Sequence, residues 1–334
     1  MVTQHPAPYI HPYFASRTEL IPLGIFSIVF GGFVDYVIIT QSKGLGTFKY
    51  YLMNQTIWAQ LLEVLVILLN PVFLNPYIAG YMAGTFQHTG SYEFTVAAST
   101  ICFMLYINTV ISITISLANR YVFTFYQQRR KMLENKYTFF AVGCLYVSFY
   151  CIFLGLYVIT ATDAETIRNY ARNETGNALN AFYFEPSLIY ISEFGSKSRM
   201  IFKYMFFFLM ILATTLIISV VWFIVNVAKR RGSISIITKT AKSLILSSIF
   251  QALLSVIMLF TPIISIMFTW GFYIHNSATV VNALVTLLSF HGTVDMISTL
   301  YFVVPSRNYC KSLLWRITKR NAPVSATGQS LFSF

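Results

Sequence analysis

Four side chains in this sequence combine an ionisable group with a strongly apolar setting. They are Asp35, Glu63, His291 and Asp295. Carboxyl and imidazole groups in such a setting relay protons, hold a cation or hydrogen-bond to a neighbouring helix. His291 and Asp295 are four residues apart, so they share one face of a helix. We interpret the four as a candidate polar cluster, either an ion- or proton-sensitive latch or a polar contact that fixes helix register.

Metal-dependent hydrolysis is the enzymatic chemistry that such groups could perform. A catalytic zinc ion needs three protein ligands and an open fourth position. Glu63, His291 and Asp295 are the candidates, but the chain has no His-x-x-x-His or Cys-x-x-Cys pair. An intramembrane hydrolase therefore stays only as an alternative, and the sequence predicts no enzyme, no cofactor and no metal.

Long apolar segments carry these residues. Of the 334 residues, 56% are apolar and only 10% are charged, whereas soluble domains have about 25% charged residues. A membrane-spanning helix takes about 20 apolar residues. Seven windows reach about that length, at residues 20–40, 55–73, 94–117, 137–159, 201–227, 243–268 and 279–304.

These windows predict the fold class, an all-α membrane protein with a seven-helix bundle. Backbone groups inside lipid must hydrogen-bond within their own segment, which favours helices. The composition excludes a soluble enzyme, a disulfide scaffold and a nucleic-acid-binding protein.

Basic residues predict the orientation of the bundle. Most of the 23 Lys and Arg residues lie in the loops after windows one, three and five and in the C-terminal tail. Such residues are retained in the cytoplasm. We therefore expect an extracellular tail at 1–19, the bundle at 20–304 and a cytoplasmic tail at 305–334. The net charge of +12 then reflects topology and attraction to anionic membrane lipid.

Two sites of covalent modification follow from this topology. Asn173 opens an Asn-Glu-Thr sequon in the longest predicted extracellular loop, so it is a glycosylation candidate. Cys310 lies just after window seven on an apolar stripe with Leu313, Leu314 and Ile317. The stripe predicts a short amphipathic helix on the membrane surface, with Cys310 either palmitoylated or packed unmodified beneath the bundle.

Motifs along nearly the whole chain suggest a family. Window three ends in Asn119-Arg120-Tyr121, which resembles the Asp-Arg-Tyr box of rhodopsin-like receptors. Further motifs are Lys49-Tyr50-Tyr51-Leu52, Trp58, Glu63, Pro71, Pro76, Gly80-Tyr81-x-x-Gly84, Gln251, Pro262, Phe290-His291-Gly292, Ser298-Thr299 and Pro305-Ser306-Arg307. With them the chain resembles the nematode serpentine chemoreceptors of the class H and class I group. It departs from that pattern at Ala118, Asp295 and Ser306.

The resemblance implies a G-protein-coupled chemosensory receptor for a small, apolar or volatile molecule. Its implied location is the plasma membrane, at the sensory cilium of a neuron. Its implied partners are a small-molecule ligand, a heterotrimeric G protein and membrane lipid, with a receptor oligomer left open. An odorant-gated channel subunit, whose termini would be reversed, is a further alternative.

The resemblance also implies roles for individual residues. Coupling to the G protein is assigned to Asn119, Arg120, Tyr121, Lys229, Arg230 and Arg231. Pro262 is the candidate hinge because it removes a backbone hydrogen bond from window six.

The ligand pocket is expected between the outer halves of windows three, five, six and seven. Ser99, Phe103 and Tyr106, at i, i+4 and i+7, are its candidates on window three. The aromatic run Phe206, Phe207 and Phe208 in window five suits an apolar ligand.

Overall fold

The computed structural model describes residues 7–42, 46–87, 90–125, 130–160, 162–230 and 239–320. Within these residues, seven helical segments are long and apolar enough to cross a membrane. We call them spans one to seven: Thr18–Gln41, Phe48–Leu69, Tyr92–Val122, Lys136–Ile159, Lys197–Asn226, Leu246–Phe272 and Ala278–Phe302. The prediction of a mostly helical protein with seven spans is confirmed, whereas its orientation in the membrane stays a prediction.

The helices themselves extend beyond several of these bounds. The α-helices are Pro12–Ala15, Ile21–Gln41, Phe48–Leu69, Tyr92–Phe125, Arg130–Leu133, Lys136–Thr160, Ala164–Thr175, Lys197–Arg230, Lys239–Ser255, Thr261–Phe272, Ala278–Leu288, His291–Phe302 and Val304–Arg320. A π-helical turn at Val256–Phe260 joins the two halves of span six, and short 3₁₀ turns occupy Thr18–Leu20 and Asn180–Phe182. The helix Val304–Arg320 follows span seven directly, and its position on the membrane surface stays a prediction.

Span two differs from the predicted window 55–73 at both ends. The helix begins at Phe48, where apolar side chains such as Phe48 and Leu52 are buried against the bundle. It ends at Leu69 because Asn70 adopts a left-handed conformation (φ 42°), and Pro71 then starts a β-strand. The last three residues of the predicted window are thus strand rather than helix.

Span seven is broken rather than continuous over the predicted window 279–304. Its first half ends at Leu288 and its second half begins at His291. The backbone amides of Ser289 and Phe290 donate hydrogen bonds to the carbonyls three residues earlier, at 3.1 Å each. This tight turn leaves the amide groups at the start of the second half without partners in their own helix.

The prediction of an all-α fold missed a small antiparallel sheet. Within the described residues, its strands are Pro71–Phe73 (β1), Ala79–Met82 (β2) and Ile189–Tyr190 (β3), in the order β1-β2-β3. Pro71 pairs with Met82, and Gly80 pairs with both Phe73 and Ile189. The sheet therefore joins the segment after span two to the long loop before span five.

The sheet is the centre of a folded cap at one end of the bundle. The cap comprises residues 7–17, 70–84 and 162–196, and the bundle end that carries it is called the sheet end below. It has an apolar core of its own, with Leu74, Leu179 and Leu188 at most 1% exposed. Arg17 ties the N-terminal segment to the bundle, donating to Thr286 Oγ1 at 2.6 Å. Burial lowers the pKa of Arg17 to about 10, so it stays cationic at neutral pH.

Spans two and seven approach each other closely at Gly292. A Cβ atom at this position would lie 2.7 Å from the carbonyl oxygen of Ala59. Gly292→Ala is therefore expected to destabilise the fold by about 1–3 kcal/mol, the usual cost of overpacking. The measurement is the midpoint of thermal unfolding of the purified protein in detergent.

Gly143→Ala in span four is the matched control. A Cβ atom at Gly143 would meet no other atom within 4 Å. Since alanine is the better helix former, this control should keep or slightly raise the midpoint. Equal midpoints for the two variants would contradict the close packing at Gly292.

Candidate functional site

A cavity of about 490 Å³ lies at the sheet end of the bundle. Spans two, three, five, six and seven form its sides, and the sheet forms its roof. Ile266 and Trp270 line it from span six, and Leu288 lines it from span seven just before the break. Its size falls within the range of about 300–1,000 Å³ that is typical of small-molecule sites.

The predicted pocket residues of span three lie together in this cavity wall. Ser99, Phe103 and Tyr106 all line it, as their shared helical face requires. The roof, formed by strands β1 to β3, was not predicted, because a three-residue apolar strand looks like the end of an apolar helix.

The aromatic run of span five does not reach the cavity. Phe207 and Phe208 are 55% and 56% exposed on the outside of the bundle, and Phe206 packs against Phe268 and Phe272. Consecutive helical residues point in directions about 100° apart, so a run of three does not share one face. The span five residues that line the wall are Ile201, Phe202 and Met205.

The cavity offers few hydrogen-bonding groups. The Thr95 hydroxyl donates to the carbonyl of Ser91 in its own helix at 2.8 Å. The Tyr106 hydroxyl and the Trp270 indole nitrogen are buried, with no hydrogen-bond partner among the described residues. A largely apolar ligand fits such a wall.

Glu63 lies next to the cavity-lining Leu62 and caps the second half of span seven. Its carboxylate accepts hydrogen bonds from the Thr293 backbone amide at 2.7 Å and the Thr293 hydroxyl at 2.5 Å. A helix N-terminus carries unpaired amides and a partial positive charge. An acidic side chain of span two thus provides hydrogen-bond acceptors for polar groups that the break in span seven leaves unpaired.

Asp295 connects three spans nearer the opposite end. Its carboxylate accepts from Gln55 Nε2 of span two, at 3.0 Å to each oxygen, and from Gln251 Nε2 of span six at 2.9 Å. Gln251 also donates to Thr299 Oγ1 at 3.1 Å. Asp295 also interacts electrostatically with Arg120 of span three.

Arg120 is completely buried, and the bundle end that carries it is called the Arg120 end. It donates to Ser247 Oγ of span six at 2.9 Å. The neighbouring Tyr121 ring contacts Trp222 and Phe223 of span five, with centroids 5.1 and 5.7 Å apart, and Asn119 is 5% exposed. The Asn-Arg-Tyr motif therefore joins spans three, five and six.

The four ionisable groups share no hydrogen-bond partner, and only Asp35, Glu63 and Asp295 have one among the described residues. Asp35 accepts from Thr56 Oγ1 at 2.9 Å, whereas Glu63 is two helical turns further along span two, about 10 Å away along the axis. His291 is buried, and neither of its ring nitrogens has a hydrogen-bond partner in the described part of the chain. In that same part, no three His, Cys, Asp or Glu side chains are placed to hold a metal ion.

The remaining predicted residues are the hinge, the two modification candidates and the basic residues assigned to G-protein coupling. Pro262 lies two residues after the π-helical turn in span six, in the first turn of the helix Thr261–Phe272. Asn173 is exposed on the helix Ala164–Thr175, and Cys310 is partly exposed on the helix Val304–Arg320. Arg231 and the side chains of Lys229 and Arg230 lie outside the described residues.

Seven membrane-length helices, an apolar cavity near one end and a buried arginine near the other are typical of seven-transmembrane receptors. The family model described as "Serpentine type 7TM GPCR chemoreceptor Srh" matches residues 15–316. The chain therefore belongs to this family, the nematode serpentine receptors of class H. It is a multi-pass membrane protein of a receptor family rather than an enzyme family. None of the curated proteins matches the chain.

Removal of the Glu63 carboxylate from the start of the second half of span seven is expected to destabilise the bundle. Glu63→Leu leaves the Thr293 amide and hydroxyl without an acceptor, which costs about 1–3 kcal/mol. Glu63→Gln keeps one acceptor oxygen and should lose less. Thermal unfolding in detergent measures both variants.

Glu165→Gln provides the control because Glu165 is exposed on the helix Ala164–Thr175. Its unfolding midpoint should stay close to that of the unmodified protein. A Glu63→Leu midpoint as high as that of this control would show that the hydrogen bonds between Glu63 and Thr293 contribute nothing to stability.

Proposed function

We propose that the chain is a chemosensory receptor that binds a small, largely apolar molecule in the cavity and signals to a heterotrimeric G protein at the Arg120 end. Membership of the receptor family implies a ligand and a G protein. The observation that carries the proposal is that the apolar cavity and the buried Arg120 share spans three and six.

Span six is the proposed connection between ligand and G protein. Its outer half places Ile266 and Trp270 in the cavity wall, and its inner half holds Gln251 against Asp295 and Ser247 against Arg120. The π-helical turn and Pro262 lie between the halves, where the regular ladder of helical hydrogen bonds is interrupted. We assign the hinge to Pro262.

Activation in this proposal is a shift in population towards a bundle that is open at the Arg120 end. The ligand favours that state only through tighter binding to it. Opening separates Ser247 from Arg120 and gives Asn119, Arg120 and Tyr121 access to the G protein, with Lys229, Arg230 and Arg231 adding basic contacts. The hydrogen bonds of Asp35, Glu63 and Asp295 and the surroundings of His291 rearrange with this shift.

The proposed setting is the plasma membrane of a sensory cilium, with the N-terminus outside. The cap then faces the extracellular side, which makes Asn173 available for glycosylation. The Arg120 end and Cys310, the palmitoylation candidate, face the cytoplasm.

Calcium imaging tests the function directly. Cells that express the chain with a promiscuous G protein are exposed to a panel of volatile and apolar compounds, and cells that lack the chain serve as controls. The proposal expects a calcium response to apolar members of the panel that requires the chain. A response confined to charged, water-soluble compounds would contradict the proposed ligand class.

Substitutions at the Arg120 end should change signalling in opposite directions. Ser247→Ala removes the contact between spans three and six, so we expect higher basal signalling. Arg120→Ala should lower the agonist-evoked response several-fold while the receptor remains at the cell surface. Both are measured as G-protein activation normalised to surface expression.

Ser255→Ala is the matched control in span six. The Ser255 hydroxyl donates to the carbonyl of Gln251, one turn earlier in the same helix, at 2.7 Å. This variant should keep basal and evoked signalling. A full response from Arg120→Ala would rule out the assigned coupling role.

Epitope tags test the orientation. A tag at Met1 should bind antibody on intact cells, and a tag at Phe334 should bind only after permeabilisation, because basic loops stay in the cytoplasm. A tag in an extracellular loop of a resident receptor controls for membrane integrity. The reverse pattern would favour the odorant-gated channel.

A further inference from the structure

The sheet separates the cavity from the outer surface of the cap. Val72 and Ile78 line the cavity and are at most 1% exposed. The cap core, which includes Leu179 and Leu188, packs with the sheet and is equally buried. A molecule that approached from this side would have to cross the cap.

The cap is also held firmly to the bundle. The Asn282 side chain of span seven accepts from the Phe73 amide at 2.9 Å and donates to the Phe73 carbonyl at 3.0 Å. Arg199 at the start of span five donates to the carbonyls of Trp270, at 2.8 Å, and Pro76, at 3.3 Å. These bonds tie the roof of the cavity to spans five, six and seven.

Three residues of the cavity wall have exposed side chains. Ile191 just after β3 is 40% exposed, Ile201 of span five is 60% exposed, and Ser99 of span three is also exposed. The other described lining residues are buried or half-buried. These three residues belong to span three, span five and the segment after β3, so we infer a gap between spans three and five, beneath the edge of the sheet.

Packing of the helices explains why the gap is confined to the sheet end. Span five packs mainly against span six, and span three packs mainly against spans two and four. Spans three and five approach each other further along, where Val110 joins the apolar cluster of Leu209 and Tyr121 contacts Trp222. The cavity is therefore closed towards the Arg120 end.

Two of the three exposed residues lie within the membrane-length helices. Ser99 lies seven residues into span three, about 10 Å along the helix, and Ile201 lies four residues into span five, about 6 Å along it. Both spans are longer than the roughly 20 residues that cross the hydrocarbon, and in the proposed orientation we expect these positions near the outer edge of the acyl chains. A molecule dissolved there reaches the gap without crossing the cap.

We propose that Ser99, Ile191 and Ile201 form a lateral portal through which the ligand passes from the bilayer into the cavity. The proposal rests on the proposed function and narrows its ligand class to small, hydrocarbon-rich molecules that partition into lipid. Charged and strongly hydrated molecules are excluded, because the route is apolar and the cap covers the aqueous side.

Photolabelling with an alkyl diazirine in proteoliposomes tests the portal. The probe is mixed with the full chain, a light flash follows after a varied delay, and mass spectrometry quantifies labelled peptides that contain Phe103 and Tyr106. Ile201→Trp narrows the portal from span five and Ser99→Phe narrows it from span three. Each is expected to slow cavity labelling about tenfold, which corresponds to about 1.4 kcal/mol in the barrier.

Ile211→Trp is the matched control, since Ile211 is 65% exposed on the same helix and does not line the cavity. It should leave the rate of cavity labelling unchanged. Labelling of lipid-exposed Ile152 and Leu156 in span four should be equal in all variants, which shows that each variant is folded and inserted.

Three results would overturn the portal. These are unchanged rates in both narrowed variants, an equal slowing by Ile211→Trp, and absence of label from the cavity of the unmodified protein. Faster labelling in Asn282→Ala, with no effect of Ile201→Trp, would instead place the route through the cap. The labelling needs neither agonist nor G protein, so a chain that is labelled as expected but never signals would contradict the proposed function alone.

Discussion

Polar groups that are buried away from water must find partners within the protein, and this constraint organises the interior of the bundle. An unsatisfied amide or hydroxyl costs several kcal/mol in an apolar medium, whereas apolar contacts between spans compete with equally apolar lipid. The break in span seven is stable because Glu63 accepts from Thr293. Asp295 similarly accepts hydrogen bonds from the side-chain NH₂ groups of Gln55 and Gln251. These hydrogen bonds join spans two, six and seven at defined positions, which their apolar surfaces alone do not require.

The same constraint accounts for the cap. Non-helical backbone at membrane depth is tolerated only where protein covers it or a cavity borders it. The hairpin after span two meets this condition, since β2 pairs with both β1 and β3 and Asn282 pairs with the amide and carbonyl of Phe73. A backbone that is satisfied in this way serves as the roof of an apolar cavity. The roof thus covers one approach to the cavity, and the proposed portal lies at the side of the bundle.

The sequence predicted the seven spans because each is long and apolar, but composition carries no information on short interruptions. Pro71, Val72 and Phe73 extend the apolar window of span two although they form a strand. The turn at Ser289 and Phe290 has no proline or glycine to mark it. Helical spacing correctly grouped Ser99, Phe103 and Tyr106 in one wall. The separate partners of Asp35, Glu63 and Asp295 depend on how the spans are staggered, which a single sequence does not reveal.

Span six contacts both the cavity and the polar residues at the Arg120 end, because each of its halves borders a different part of the bundle. One half borders the cavity through Ile266 and Trp270, and the other bonds to Arg120 and Asp295 through Ser247 and Gln251. A π-helical turn holds one more residue than an α-helical turn, so moving or removing it rotates one half against the other by about 100°. Such a rotation would carry Ser247 and Gln251 away from their partners without unfolding either half. In the proposed function, such a rotation links occupancy of the cavity to release of Arg120.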